Sequence, residues 1–89
     1  MTIEFNKVGK NYESEFEITD VCNIHLEFET VARVVVEQKT SGTQYDDVET
    51  TNKLVGKCID VDIQALVYPK TIKVVTSALP TFGKVTYNS

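Results

Sequence analysis

The residues with which this chain could do chemistry are few: one histidine, two cysteines and some close-set carboxylates. His25 stands between Ile24 and Leu26, with Asn23 and Glu27 two positions to either side. A histidine working as a catalytic base needs a nucleophile and an orienting acid beside it. Strand alternation instead puts His25 on a polar face, where a same-face or cross-strand hydrogen bond is its expected role. Asp46, Asp47 and Glu49 lie close together, and Asp60 and Asp62 share one strand face. Calcium takes several carboxylate and carbonyl oxygens, but the alternating Asp-x-Asp-x-Asp-Gly loop is absent. A glycosidase pair of carboxylates would need a deep cleft, which a chain of 89 residues can scarcely build.

Cys22 and Cys58 are too few for a disulfide scaffold and lack the paired spacing of a zinc site. Both fall in strand-like sequence, and both are expected to be reduced core residues. There is no Gly-x-Ser-x-Gly elbow, Walker loop or His-Glu-x-x-His. Glycine occurs at positions 9, 42, 56 and 83, each read as a turn or strand end. No catalytic residue, metal site or cofactor is expected, and the protein is not expected to be an enzyme.

The elements that would position these residues are strands. Val, Ile and Thr make up 30 of the 89 residues, against seven Ala and Leu together. β-Branched side chains suit a pleated surface, and the strongest helix formers are nearly missing. Alternation marks short strands around Ile3 and Phe5, Phe16 and Ile18, and Ile24, Leu26 and Phe28. Residues 6–14 read as a polar turn. Residues 31–40 read as a strand apolar on both faces, as a centrally placed, doubly covered strand would be. After the Ser41-Gly42-Thr43 turn, Tyr45 and Val48 outline an edge segment, and residues 50–52 are a polar break. Ile59, Val61 and Ile63 alternate with Cys58, Asp60 and Asp62, and residues 64–69 form a crossover. Ile72, Val74 and Val75 mark a further strand, and Val85 and Tyr87 the last. Seven to eight short antiparallel strands with breaks about every ten residues predict one all-β, immunoglobulin-like sandwich domain over residues 1–89.

Size and charge exclude several function classes. A domain this small buries only roughly 60–65% of its unfolded surface, so neither a multi-domain enzyme nor a dinucleotide fold is expected. The formal charge is -4, which argues against a nucleic-acid partner. That charge is uneven: residues 1–49 hold eleven acidic and four basic side chains, and residues 50–89 two and five. No stretch approaches the ~20 apolar residues of a membrane helix, and no membrane partner is expected. The start, Met1-Thr2-Ile3-Glu4-Phe5, has no basic segment before an apolar run, so no export signal is expected.

One stretch carries a resemblance. Val34-Val35-Val36-Glu37-Gln38-Lys39 followed by Ser41-Gly42-Thr43-Gln44-Tyr45-Asp46-Asp47-Val48 has the form of a strand, a Gly-Thr-x-aromatic hairpin and an edge strand. Tyr68-Pro69-Lys70-Thr71-Ile72-Lys73-Val74-Val75-Thr76-Ser77 and Gly83-Lys84-Val85-Thr86-Tyr87 then match a penultimate and a last strand. Over residues 31–87 the chain resembles small immunoglobulin-like auxiliary, or decoration, capsid proteins of tailed bacteriophages, the crAss-like phages among them. The resemblance implies a non-enzymatic structural virion protein. It would be made in the host cytoplasm and located on the capsid surface, bound to the major capsid protein or other virion proteins, with self-association among its expected contacts. Turn residues with apolar tips, Tyr45, Tyr68, Leu79, Pro80 and Phe82, are the expected interface, with Lys70 and Lys73 of the later basic strands expected to face an acidic shell. The rival expectation is a carbohydrate- or ligand-binding module of a fibre or cell-surface protein, which would use exposed aromatics. Trp is absent, and the four Tyr are scattered along the sequence.

Overall fold

A computed structural model describes residues 2–42, 44–47, 53–65 and 67–87. Among them lie nine strands and no helix: β1 (Asn6–Val8), β2 (Asn11–Ile18), β3 (Cys22–Glu27), β4 (Ala32–Ser41), β5 (Gln44–Asp47), β6 (Lys53–Val55), β7 (Cys58–Ile63), β8 (Lys70–Thr76) and β9 (Phe82–Tyr87). All pair antiparallel. The larger sheet has the order β1-β2-β8-β4-β5, with β6 sharing the β5 side of β4. The smaller sheet has the order β7-β3-β9. An isolated bridge from Thr2 to Lys84 lays the start of the chain along β9.

Alternation decides which residues meet between the sheets. Ile18, Val34, Val36, Ile72 and Val74 from the larger sheet join Cys22, Ile24, Leu26, Val61, Ile63 and Val85 from the smaller in one core. Burying each such Val, Ile or Leu contributes roughly 1.5–3 kcal/mol. Thr76 is buried with them, and its hydroxyl donates to the Ala78 carbonyl at 2.8 Å.

The connections cross repeatedly between the sheets, and backbone hydrogen bonds draw several of them together at one end. Phe28 N–H donates to the Lys57 carbonyl at 2.7 Å, Thr81 N–H to Glu27 at 2.8 Å and Ser77 N–H to Arg33 at 3.0 Å. The Gly9-Lys10 turn of the β1–β2 hairpin lies at this same end, since Tyr12 pairs with Thr76. Gly9 has φ of +62°, a left-handed conformation that glycine adopts without a Cβ penalty.

Five expectations need correction. Nine strands stand among the described residues where seven to eight were expected, and Ile3 and Phe5 belong to none of them, the chain there making only the Thr2–Lys84 bridge. Residues 6–14 are not simply a turn: they fold as a hairpin that runs into a longer β2. Asn6, Lys7 and Val8 are all exposed, so β1 has no apolar alternation to announce it. The strand at 31–40 is central, yet among the described residues no layer covers its outer face. Val35 is half-buried there beside its cross-strand partner Val75. Cys58 is exposed rather than in the core, because it shares the parity of Asp60 and Asp62 while Ile59, Val61 and Ile63 point inward. Cys22 is buried, and both thiols are free. The edge-strand expectation at Val48 and the polar break at 50–52 lie outside the described residues.

Candidate functional site: two outer faces and an apolar end

The outer face of the smaller sheet is a three-by-three grid set by register. Cys58, Glu27 and Phe82 form one row, Asp60, His25 and Lys84 the next, and Asp62, Asn23 and Thr86 the third. His25 Nδ1 is 2.9 Å from Asp60 Oδ1, and its Nε2 is 2.8 Å from Glu27 Oε2. The hydrogen bond with Glu27, followed by that with Asp60, raises the His25 pKa above its ordinary value, against a smaller opposing effect of burial. Asn23 Nδ2 donates to Asp62 Oδ1 at 3.0 Å. The Phe82 ring lies tilted against the imidazole, 6.3 Å between centroids. A shallow hollow of about 450 Å³ opens beside His25 and Glu27, over Phe28, with Glu29, Lys57, Cys58 and Thr81 around it.

The expected role of His25 as a same-face and cross-strand hydrogen-bonding residue is what this grid contains. Asp60 and Asp62 do share one strand face, and each is engaged by a neighbour on β3. Among the described residues no group of three or more His, Cys, Asp or Glu has a geometry that would hold a metal ion. Of the other carboxylate cluster, Asp46 is exposed on β5 and Glu49 lies outside the described residues.

The outer face of the larger sheet is acidic with a basic centre. β8 runs between β2 and β4, so Lys73 pairs with Glu15 on one side and Glu37 on the other. Lys73 Nζ reaches Glu13 Oε1 at 3.3 Å and stands 5.2 Å from the centre of the Tyr45 ring. Partial desolvation lowers the Lys73 pKa, but the Glu13 hydrogen bond and the charges of Glu13 and Glu37 outweigh it, and the net shift is upward. Tyr45 donates its hydroxyl proton to Glu15 Oε1 at 2.9 Å, and that hydrogen bond raises the phenol pKa. The acidic first half and basic second half of the sequence therefore interleave here instead of opposing each other.

These contacts divide the seven expected interface residues. Lys73 and Tyr45 are tied into the larger sheet's own surface. Tyr68 packs against the core, and its hydroxyl oxygen accepts the Ala65 N–H at 3.0 Å. Lys70 Nζ donates to the Lys39 carbonyl at 3.4 Å. Leu79, Pro80 and Phe82 belong to the β8–β9 link and the start of β9, at the end where the connections gather; Leu79 and Phe82 are exposed and Pro80 is half-buried.

Sequence reading did not single out the company they keep. Val8, Val31 and Leu54 are exposed at the same end, Val8 at the hairpin tip, Val31 just before β4 and Leu54 opposite Arg33. With Leu79 and Phe82 they are between 42% and 63% exposed. They are five of the six large apolar side chains exposed among the described residues; the sixth, Val67, sits at the opposite end. Exposed apolar side chains scattered singly need no explanation; these five come from both sheets and their connections but share one end of the fold. A departure from alternation was the available signal: Val31 and Leu79 flank strands without joining their inward rows.

No protein-family model matches the chain, and neither a curated protein nor a solved structure does so.

Proposed function

We propose that the protein is a non-enzymatic structural component of a virion, an auxiliary or decoration protein attached to a phage capsid. One observation carries the reading: five of the six large exposed apolar side chains among the described residues lie at one end of a small, cross-braced sandwich whose sheet faces carry internally paired charges. Such a body is suited to standing on a surface by one end. The resemblance of residues 31–87 to capsid decoration proteins supplies the identity of that surface. Its finer assignment as an immunoglobulin-like sandwich rests on the two antiparallel sheets with crossing connections. The strand order is the chain's own, since immunoglobulin domains place strands one, two, five and four in one sheet and three, six and seven in the other. Attachment in many copies sums weak contacts through effective concentration. The protein is then made in the host cytoplasm and resides on the capsid, against the major capsid protein or its neighbours.

The geometry favours attachment over glycan binding. A glycan platform needs aromatic faces presented together, whereas Tyr68 and Tyr87 pack against the core and Tyr45 is held by Glu15 and Lys73. Quantitative mass spectrometry of extensively washed phage particles tests the proposal. The expected result is a copy number comparable to that of the major shell protein. Absence from the particles contradicts it.

A further inference from the structure

Both ring nitrogens of His25 face carboxylate oxygens, at 2.9 Å and 2.8 Å. A neutral imidazole carries one N–H and one bare lone pair, and an ionised carboxylate can only accept. Two simultaneous hydrogen bonds therefore require the imidazolium. We propose that His25, Asp60 and Glu27 form a proton-operated clasp, in which the imidazolium ties β7 to β3 across the outer face of the smaller sheet and loss of its proton frees one of the two carboxylates.

The surroundings make the clasp two-state. On β7 the flanking groups are Cys58 and Asp62, and Asp62 is already occupied by Asn23. From β9, Lys84 stands opposite His25 as the balancing cation, and the Phe82 ring limits where the imidazole can go. Glu29 and Lys57 line the hollow next to Glu27. With the proton bound, His25 and Lys84 offset two of the three carboxylates in the grid. Without it, a lone pair points at a carboxylate at hydrogen-bonding distance, an arrangement that repels. The ring must then choose Asp60 or Glu27, and the face becomes more acidic by one charge. Glu27 lies on the same strand as His25, so release of Asp60 is the outcome that loosens β7. The upward shift of the His25 pKa agrees with this arrangement. Histidine is the side chain whose titration falls in the physiological range, so the clasp would respond to ordinary changes of pH.

Nitrogen-detected NMR of the whole chain, titrated over about pH 5 to 9, reads the clasp directly. Below the His25 midpoint both ring nitrogens are expected at protonated shifts, and that midpoint is expected to lie above that of an exposed histidine. It is expected to fall in Asp60→Asn and in Glu27→Gln. Amide protection in β7, corrected for intrinsic exchange, is expected to drop as pH crosses the midpoint while that of β8 holds. His25→Gln is expected to abolish this pH dependence in an otherwise unchanged amide spectrum. A midpoint at or below that of an exposed histidine, a midpoint unmoved by both substitutions, or β7 protection independent of pH in the wild type would each overturn the proposal.

Discussion

Gly83 faces Leu26 across the β9–β3 ladder so closely that a Cβ at position 83 would stand 2.9 Å from Leu26 Cδ2. Leu26 is fully buried, and the same added Cβ would stand 3.5 Å from Ile3 Cβ and 3.7 Å from Phe5 Cε1, so room for it must come from shifts in the packed core. Gly83→Ala is therefore expected to destabilise the fold by about 1–3 kcal/mol, the usual cost of overpacking. Thermal melting checks this, since each kcal/mol lowers the midpoint of a domain this size by about 4–8 °C. An unchanged midpoint would show that the contact yields freely.

Lys73 offers a second test. Its ammonium is the cation between Glu13, Glu15 and Glu37 on the outer face of the larger sheet. Lys73→Met is expected to cost about 1 kcal/mol at low salt, and less at high salt where the remaining carboxylates are screened. Because the Lys73 pKa is raised, its contribution is present throughout neutral pH and is lost only as pH climbs through that raised value. Chemical denaturation at two ionic strengths measures it. A Lys73→Glu variant that fails to attach to particles would report a weakened sheet as readily as a lost contact, so Lys73 is a poor probe of attachment.

Tyr68 should behave as a structural residue. Its hydroxyl accepts the Ala65 N–H and so anchors the crossover into β8. Tyr68→Phe is expected to lose about 1 kcal/mol, the typical net value of one hydrogen bond. An unchanged denaturation midpoint would return Tyr68 to the list of free contact residues.

Stability should also depend on pH through His25. A histidine whose folded pKa is raised contributes fully below its unfolded pKa, and the contribution is lost as pH rises through the folded one. The unfolding free energy from urea titrations is therefore expected to fall from slightly acidic to alkaline pH, by an amount in the ~0.2–1 kcal/mol range of exposed ion pairs. His25→Gln should remove that part of the slope. A slope identical in the variant would assign it to other groups.

The sequence showed what depends on period two and concealed what depends on register. The inward rows of β3, β7 and β8 were legible because Ile24, Val61 and Ile72 alternate with polar neighbours. The same parity puts Cys58 outside with Asp60 and Asp62. Glu27 was visible as a partner of His25 because it lies two residues along the same strand. Asp60 was not, because 35 residues separate it from His25 and only the β3–β7 register brings them together. Likewise Lys73 reads as a free basic residue until β8 is known to run between two acidic strands. The apolar end was hidden for a related reason: Val8, Val31 and Leu54 come from three separate segments, and Leu79 and Phe82 from a fourth.

Co-sedimentation of the purified protein with phage capsid shells stripped of it tests the central claim most directly. The wild type is expected to sediment with the shells at saturating stoichiometry. Val31→Asp and Leu79→Asp, both at exposed positions, are expected to keep the wild-type melting temperature, since surface changes stay within about 0.5 kcal/mol, and to remain in the supernatant. A wild type that does not sediment, or variants that sediment equally well, would contradict attachment through the apolar end.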